Sequence, residues 1–413
     1  MKILFLHQNF PGQFKHLAPA LVAQGHEVHA LMLTRKQPTQ WQGVRVHSYL
    51  PQRSSTPNIH PWVMDFETKV IRAEAVMRWA TQQRDLHGLT PDVVIAHPSW
   101  GESLLIKQVW PDAKLGLFCE MYYQTQGQDV GFDPEFASNA TDDGGRLFLK
   151  NAVNIMHNDL VDAAISPTHW QASTYEPQMR ERIKVVHDGI DTSHIQPNPK
   201  ACLSLGDKQW TRNDEVVTFV NRNLEPYRGF HVFMRALPTL LRKRPQSQVL
   251  IVGGDEVSYG AKPPPGQTWK QIFINEVRGQ ISEDDWSRVH FLGRIPYDQF
   301  LTMLQISRVH VYLTYPFVLS WSLIEAMSTG CAIVASDTAP VLEAIEDGVT
   351  GKLVPFFEPH TLAHTIADLL DNPEERALLG AQARARAVER YDLKTVCLPQ
   401  QLEWVQTLAA KSP

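Results

Sequence analysis

The residues of this chain best placed to do chemistry are two serines, two arginines and a glutamate, all in its carboxyl half. Ser320, Ser322 and Glu325 open a helix after an apolar strand broken by Pro316, in the stretch from Tyr312 to Asp337. Arg222 and Arg228 flank a second strand-to-helix loop, and a glycine, Gly229, follows the latter. A helix amino terminus at the carboxyl end of a strand favours an anion, and guanidinium forks bind phosphate in bidentate fashion. A carboxylate in the same turn suits ribose hydroxyls, so phosphate beside ribose points to a nucleotide. A capping box formed by Ser322 and Glu325 is the competing explanation, in which both residues satisfy only the helix.

The elements that would position these groups repeat. Lys2 to His7 reads as a buried strand, followed by a loop with Gly12, a helix through Leu21 and a second strand, Glu27 to Leu33. Strands at Asp92 to His97, Leu115 to Cys119, Ala163 to Ser166 and Ile183 to His187 continue the pattern. The second half starts again at Val216 with strand, helix and strand. This predicts two doubly wound parallel α/β domains. Proline-containing, aperiodic sequence from Ser193 to Asp214 marks the linker, giving domains 1–195 and 196–395, with a terminal helix at 396–413 packing back on the first. A single glycine, Gly12, stands where a dinucleotide fingerprint needs three, which disfavours a nicotinamide oxidoreductase.

His97 ends a strand ahead of Pro98, a position that favours function over structure. Glu120 to Gly145 is a long polar and aromatic segment suited to a binding loop or lid. Its residues Glu120, Tyr122 and Tyr123 are candidates for stacking on and hydrogen-bonding an acceptor. A length of 413 residues calls for two cores, and a net charge of −5 argues against a nucleic-acid partner. No run approaches the ~18 apolar residues of a membrane span, so the expectation is a cytoplasmic protein, with peripheral membrane contact left open. Four scattered cysteines without CxxC spacing predict small buried hydrophobes and no structural zinc.

With both halves read, the chain resembles the family-4 retaining glycosyltransferases, glycosyl transferases group 1, which pair two Rossmann-like domains facing across a cleft, the GT-B architecture. Arg222 and Arg228-Gly229 look like the family's arginine and lysine on the donor diphosphate. Phe291 to Gly293, Glu325 to Met327 and Glu346 to Gly351 stand in the family's order. Gly12 corresponds to the glycine near the donor phosphates, His97 to the active-site histidine, and Asp188 to Asp191 to an Asn-Gly-Val-Asp turn. Phe317 stands where the family usually has a first glutamate that contacts the donor sugar.

The resemblance implies sugar transfer from a nucleotide diphosphate sugar to a hydroxyl on a carbohydrate or lipid-linked acceptor, in polysaccharide or glycoconjugate synthesis. It further implies retention and neither metal nor other cofactor. Arg222, Arg228 and the N–H groups of Ser320, Trp321, Ser322 and Leu323 would hold the diphosphate, Glu325 the ribose, and His97 the sugar or departing oxygen. A nucleotide-sugar-binding protein without turnover, or an epimerase or hydrolase on the same fold, are the alternatives.

Overall fold

The computed structural model describes residues 1–35, 39–137 and 140–410, with two compact units. The first comprises Met1–Gln126, the chain that follows an excursion at Gly127–Ala137 up to Gly189, and everything from Lys394 on. The excursion itself and Ile190–Leu393 make the second. The structural change of unit therefore falls at Gly189/Ile190 and at Leu393/Lys394, a few residues from the boundaries expected at 195 and 395.

The first unit carries strands β1 (Lys2–Leu6), β2 (Glu27–Leu33), β3 (Thr39–Trp41), β4 (Val44–Tyr49), β5 (Val93–Ala96), β6 (Lys114–Phe118), β7 (Ala163–Ser166) and β8 (Ile183–Val185). They form one sheet in the order β3-β4-β2-β1-β5-β6-β7-β8, parallel except for the edge strand β3. The central strands are apolar and wholly buried, which is what a sheet covered on both faces demands. Chain order reverses at β1, whose neighbours are β2 and β5, so their carboxyl ends open a crevice. His7 and Gly12 follow β1, and His97 follows β5.

The second unit starts with a hairpin, β9 (Cys202–Leu205) and β10 (Lys208–Thr211), in the segment expected to be an unstructured linker. Alternation is visible there: Leu203 and Trp210 point inward and are buried while their neighbours are more exposed. Cys202, expected to be buried, is exposed at its start. Then come β11 (Val216–Asn223), β12 (Gln248–Gly254), β13 (Val289–Gly293), β14 (Val309–Tyr312), β15 (Ala332–Ser336) and β16 (Lys352–Val354). Their sheet is parallel, in the order β13-β12-β11-β14-β15-β16, and again reverses beside its first strand.

One expectation fails in the amino half, and one long helix there was not expected at all. The long segment from Glu120 is not one loop, because a helix begins at Ala140 and Gly127–Ala137 packs into the second unit. A 27-residue helix, Pro61–His87, carries too mixed an alternation of apolar and charged residues for its period to be read.

The final helix, Leu398–Ala410, lies on β6 of the first unit; residues 411–413 of the expected terminal helix fall outside the described residues. Gly116 makes room for it, since a Cβ there would come within 2.6 Å of Leu408 and 2.8 Å of Trp404. Both side chains are buried in the core. Leu408→Ala is expected to cost about 2–5 kcal/mol in urea unfolding. A loss under about 0.5 kcal/mol would show that this helix does not seal the first unit's core.

Candidate functional site

In the second unit the loops after β11 and β14, neighbours at the reversal of strand order, bring Arg228 to the segment 313–319. Gly229 makes the approach: its φ is +69°, and a Cβ would sit 2.3 Å from Leu313. Arg228 is buried. Its Nη1 donates to Thr314 Oγ1 at 2.7 Å and to the Val318 carbonyl at 3.2 Å, and Nη2 donates to the same carbonyl at 3.2 Å. The guanidinium also lies 5.4 Å from the Tyr259 ring and 5.6 Å from that of Phe317. Among the described residues it has no carboxylate partner.

Phe317 has a clear place in this arrangement. It packs on Tyr227 and Tyr259, each with ring centroids 5.0 Å away, and so walls in the Arg228 charge. Tyr259 is brought there by Glu225, a buried carboxylate that accepts the N–H groups of Ser258, Tyr259 and Gly260 at 3.1–3.4 Å. Arg222 is exposed and makes no hydrogen bond or ion pair among the described residues.

The helix Trp321–Ser328 starts at the expected turn, and Ser320 is its cap. Ser320 Oγ accepts from Ser322 N–H at 3.3 Å, the Ser320 carbonyl accepts from Leu323 N–H, and the Ser320 N–H donates to the Tyr312 hydroxyl at 3.0 Å. Three N–H groups expected to face a phosphate thus have acceptors already. The capping box also fails: Glu325 Oε1 accepts instead from the Tyr297 hydroxyl at 2.6 Å. Burial and the adjoining Glu325 push that hydroxyl's pKa up. Sequence reasoning missed Tyr227, Tyr259, Glu225 and Tyr297, which reach the site through tertiary packing and leave no local pattern.

In the first unit the carboxyl ends of β1, β5 and β6 bring together His7, His97 and Glu120. His97 Nδ1 accepts from Ser99 N–H at 3.3 Å, which puts the neutral ring's proton on Nε2, facing Glu120 Oε2 at 3.3 Å. His7 Nδ1 accepts from Asn9 N–H at 3.1 Å, so its Nε2–H donates to Gln13 Oε1 at 2.7 Å. Gln13 then donates to Glu120 Oε1 at 3.0 Å, closing a chain of four side chains. Burial pushes the Glu120 carboxyl up, but the bonds from His97 and Gln13 outweigh it and hold it below the usual range. Trp100 stacks on His97 with ring centroids 4.1 Å apart. Gly12 serves this network: a Cβ would come 2.2 Å from the His7 ring, on a backbone with φ of +47°.

Tyr122 and Tyr123 are tied down inside the first unit, Tyr122 through its hydroxyl to Glu176 at 2.9 Å. The Tyr123 N–H donates to Asn151 Oδ1 at 3.0 Å and its carbonyl accepts from Asn151 Nδ2 at 2.7 Å, and Lys150 Nζ lies 3.6 Å from its ring. The one group of His, Cys, Asp and Glu side chains close enough for a metal, among the described residues, is Asp133, Glu135 and His231 in the second unit. Its atoms have other work. Asp133 takes the Tyr315 hydroxyl at 2.6 Å and faces His231 at 3.1 Å, while Arg235 grips both Glu135 oxygens at 2.7 Å.

The comparisons agree with one another. Residues 24–195 match the family model described as Glycosyl transferase family 4 group, and 206–386 match Glycosyl transferases group 1. The chain is 31% identical over 217 residues to the phosphatidyl-myo-inositol mannosyltransferase of Mycolicibacterium smegmatis, covering 50% of each protein. It is 28% identical over 207 residues to the D-inositol 3-phosphate glycosyltransferase of Corynebacterium efficiens, covering 49% of this chain and 46% of the relative. The chain thus spans about half the length of the curated relatives it matches. Among solved structures it is similar over 98% of its length to all of Anabaena Alr3699/HepE in complex with UDP, with a TM-score of 0.69 at 18% identity. Sucrose-phosphate synthase from Thermosynechococcus elongatus matches end to end with a TM-score of 0.73 at 17% identity.

Burial lowers the His7 pKa from 6.5 to about 4. Between these values the unfolded chain binds a proton that the folded one excludes, so folding stability rises with pH from 4 to 6.5 and is complete above it. Urea unfolding across that window should show a shallower pH slope for His7→Asn than for the parent. Equal slopes would remove His7 from this linkage.

Proposed function

The chain belongs to the group 1, family-4 glycosyltransferases with the GT-B fold, and from that premise we propose that it moves a sugar from a nucleotide diphosphate sugar to a hydroxyl of a carbohydrate or lipid-linked acceptor. The observation that carries the reading is Arg228, a buried cation with aromatic walls, two neutral oxygen partners and, among the described residues, no carboxylate. A buried charge left this way is costly, and an arriving diphosphate relieves the cost. Arg222, exposed and unpaired nearby in sequence, supplies the second positive charge.

In the reaction the bond from the sugar's anomeric carbon to the β-phosphate oxygen breaks, and its electron pair departs on the diphosphate. The acceptor oxygen forms the new bond and gives its proton to the released phosphate. Charge grows on the phosphate oxygens in the transition state, where fixed guanidinium donors act most strongly, so the step proceeds without a metal. Glu325, released from Tyr297, takes the ribose hydroxyls. His97 donates from Nε2, where its proton is shared with Glu120, to the sugar, and the Ser99 N–H at Nδ1 fixes the tautomer. Retention of configuration follows the family, and Phe317 leaves the sugar contact usually made by a first glutamate to other groups.

The test is a panel of nucleotide sugars incubated with and without candidate acceptors. The expected result is nucleoside diphosphate released only when acceptor is present, reduced about 10²–10³-fold by Arg222→Ala. That substitution should leave the melting temperature unchanged, because the exposed side chain makes no hydrogen bond or ion pair among the described residues. Release without acceptor would make the protein a hydrolase. Stabilisation by a donor with no release under any condition would make it a binding protein; a donor at 100 times its dissociation constant adds about 2.7 kcal/mol.

A further inference from the structure

We propose that a basic cavity on the first unit is a subsite for a phosphate group carried by the acceptor, an inference that takes the transferase reading as its premise. The cavity, about 230 Å³, is lined by Asp65, Thr68, Lys69 and Arg72 from the helix Pro61–His87, and on its other sides by Ser99, Trp100, Tyr123, Lys150 and Asn154. Whole-ligand pockets run to about 300–1,000 Å³, so this one holds a group rather than a molecule.

Its chemistry selects an oxyanion. Three cations and one carboxylate line it, for a formal charge of 3 − 1 = +2. The carboxylate is committed, since Asp65 pairs with Lys69 at 2.6 Å. Arg72 makes no hydrogen bond or ion pair among the described residues. The buried carboxyl behind it, Glu102, takes the Tyr49 hydroxyl at 2.8 Å, and burial pushes its pKa up, which weakens its claim on the guanidinium. Asn154 is 2% exposed; its Oδ1 accepts from Ser99 Oγ at 3.3 Å, and its Nδ2 is a buried donor with no acceptor among the described residues. Such a group is costly to leave unmet, and a phosphate oxygen in the cavity would meet it.

The cavity is also tied to the proposed chemistry. Trp100 forms one of its walls and stacks on His97. The turn that carries both sits directly on Lys69: Gly101 has a φ of +90°, and a Cβ there would come 2.6 Å from the Lys69 carbonyl oxygen. An acceptor anchored here by its phosphate therefore extends toward His97 along one rigid surface.

Titration of the full chain with inorganic phosphate at constant ionic strength tests the subsite without turnover. Saturable binding is expected, weakened about 10- to 100-fold by Arg72→Ala and tightened by Asp65→Asn, which frees Lys69. Arg78→Ala, one to two turns further along the same helix, should change nothing. Phosphate that binds no better than chloride, or no response to either Arg72→Ala or Asp65→Asn, overturns the proposal.

A turnover arm compares glucose with glucose 6-phosphate as acceptor, and vesicles of phosphatidylcholine with and without phosphatidic acid. An Arg72-dependent rise in KM confined to glucose 6-phosphate assigns a soluble ester, and Arg72-dependent binding confined to phosphatidic acid assigns a lipid headgroup. Phosphate bound with no transfer to any acceptor would sink the transferase reading alone. Transfer to neutral acceptors with phosphate unbound would sink the subsite alone.

Discussion

The second unit is built around a positive charge taken out of water. Arg228 sits under the end of a parallel sheet, with its N–H groups shared between one hydroxyl and one carbonyl and its faces against aromatic rings. Neutral hydrogen bonds and cation–π contacts together recover part of a guanidinium's hydration, each at about 1 kcal/mol, and leave the remainder outstanding. The surroundings are organised to bear that deficit. Glu225 spends its carboxylate on three backbone N–H groups to hold Tyr259 in place and gives none of it to the arginine. A cation kept underpaired in this way is what the proposed diphosphate site requires, an anion that comes and goes.

The first unit solves a different problem, how to hold and aim its histidine rings. Backbone N–H groups occupy Nδ1 of both His7 and His97, so each proton is forced to Nε2, and both protons lead by way of Gln13 or directly to the two oxygens of Glu120. Each oxygen of the carboxylate therefore has a donor from within the protein. It orients His97 and is not a free base, and an Nε2–H that donates to it at 3.3 Å is long enough to be shared with a ligand.

Much of this was legible before any coordinates, for a physical reason. Parallel sheets write themselves as apolar runs, and ligand groups collect where those runs stop, so His97, Arg228 and Glu325 could be picked out from their position at strand ends. The parts that stayed hidden act across long sequence separations. Nothing near Glu225 says that it will hold the backbone of Ser258, 33 residues on, and nothing near Glu325 points to Tyr297. The helix Pro61–His87 was missed because its faces are not sorted by polarity, and with it went Lys69 and Arg72. The segment Gly127–Ala137 misled for another reason. Its acidic and aromatic residues look made for a ligand, yet Asp129 and Asp133 take the hydroxyls of Tyr227 and Tyr315 at 2.6 Å, inside the second unit.

Those two bonds bear on the unusual Phe317. A carboxylate at that position would lie beside Arg228 and neutralise it; an aromatic ring shields the charge and leaves it whole. The cluster of Tyr227, Tyr259, Tyr315 and Phe317 is then the structural consequence of omitting the acid, since a ring needs rings to pack on. Tyr227 and Tyr315 bring hydroxyls into that cluster, and buried hydroxyls need acceptors. Asp129 and Asp133 supply them from a segment that leaves the first unit's chain to do so. On this argument the departure at one residue and the excursion of eleven belong together, and restoring a glutamate alone at 317 would place a carboxylate beside Arg228 and among rings packed for an apolar neighbour.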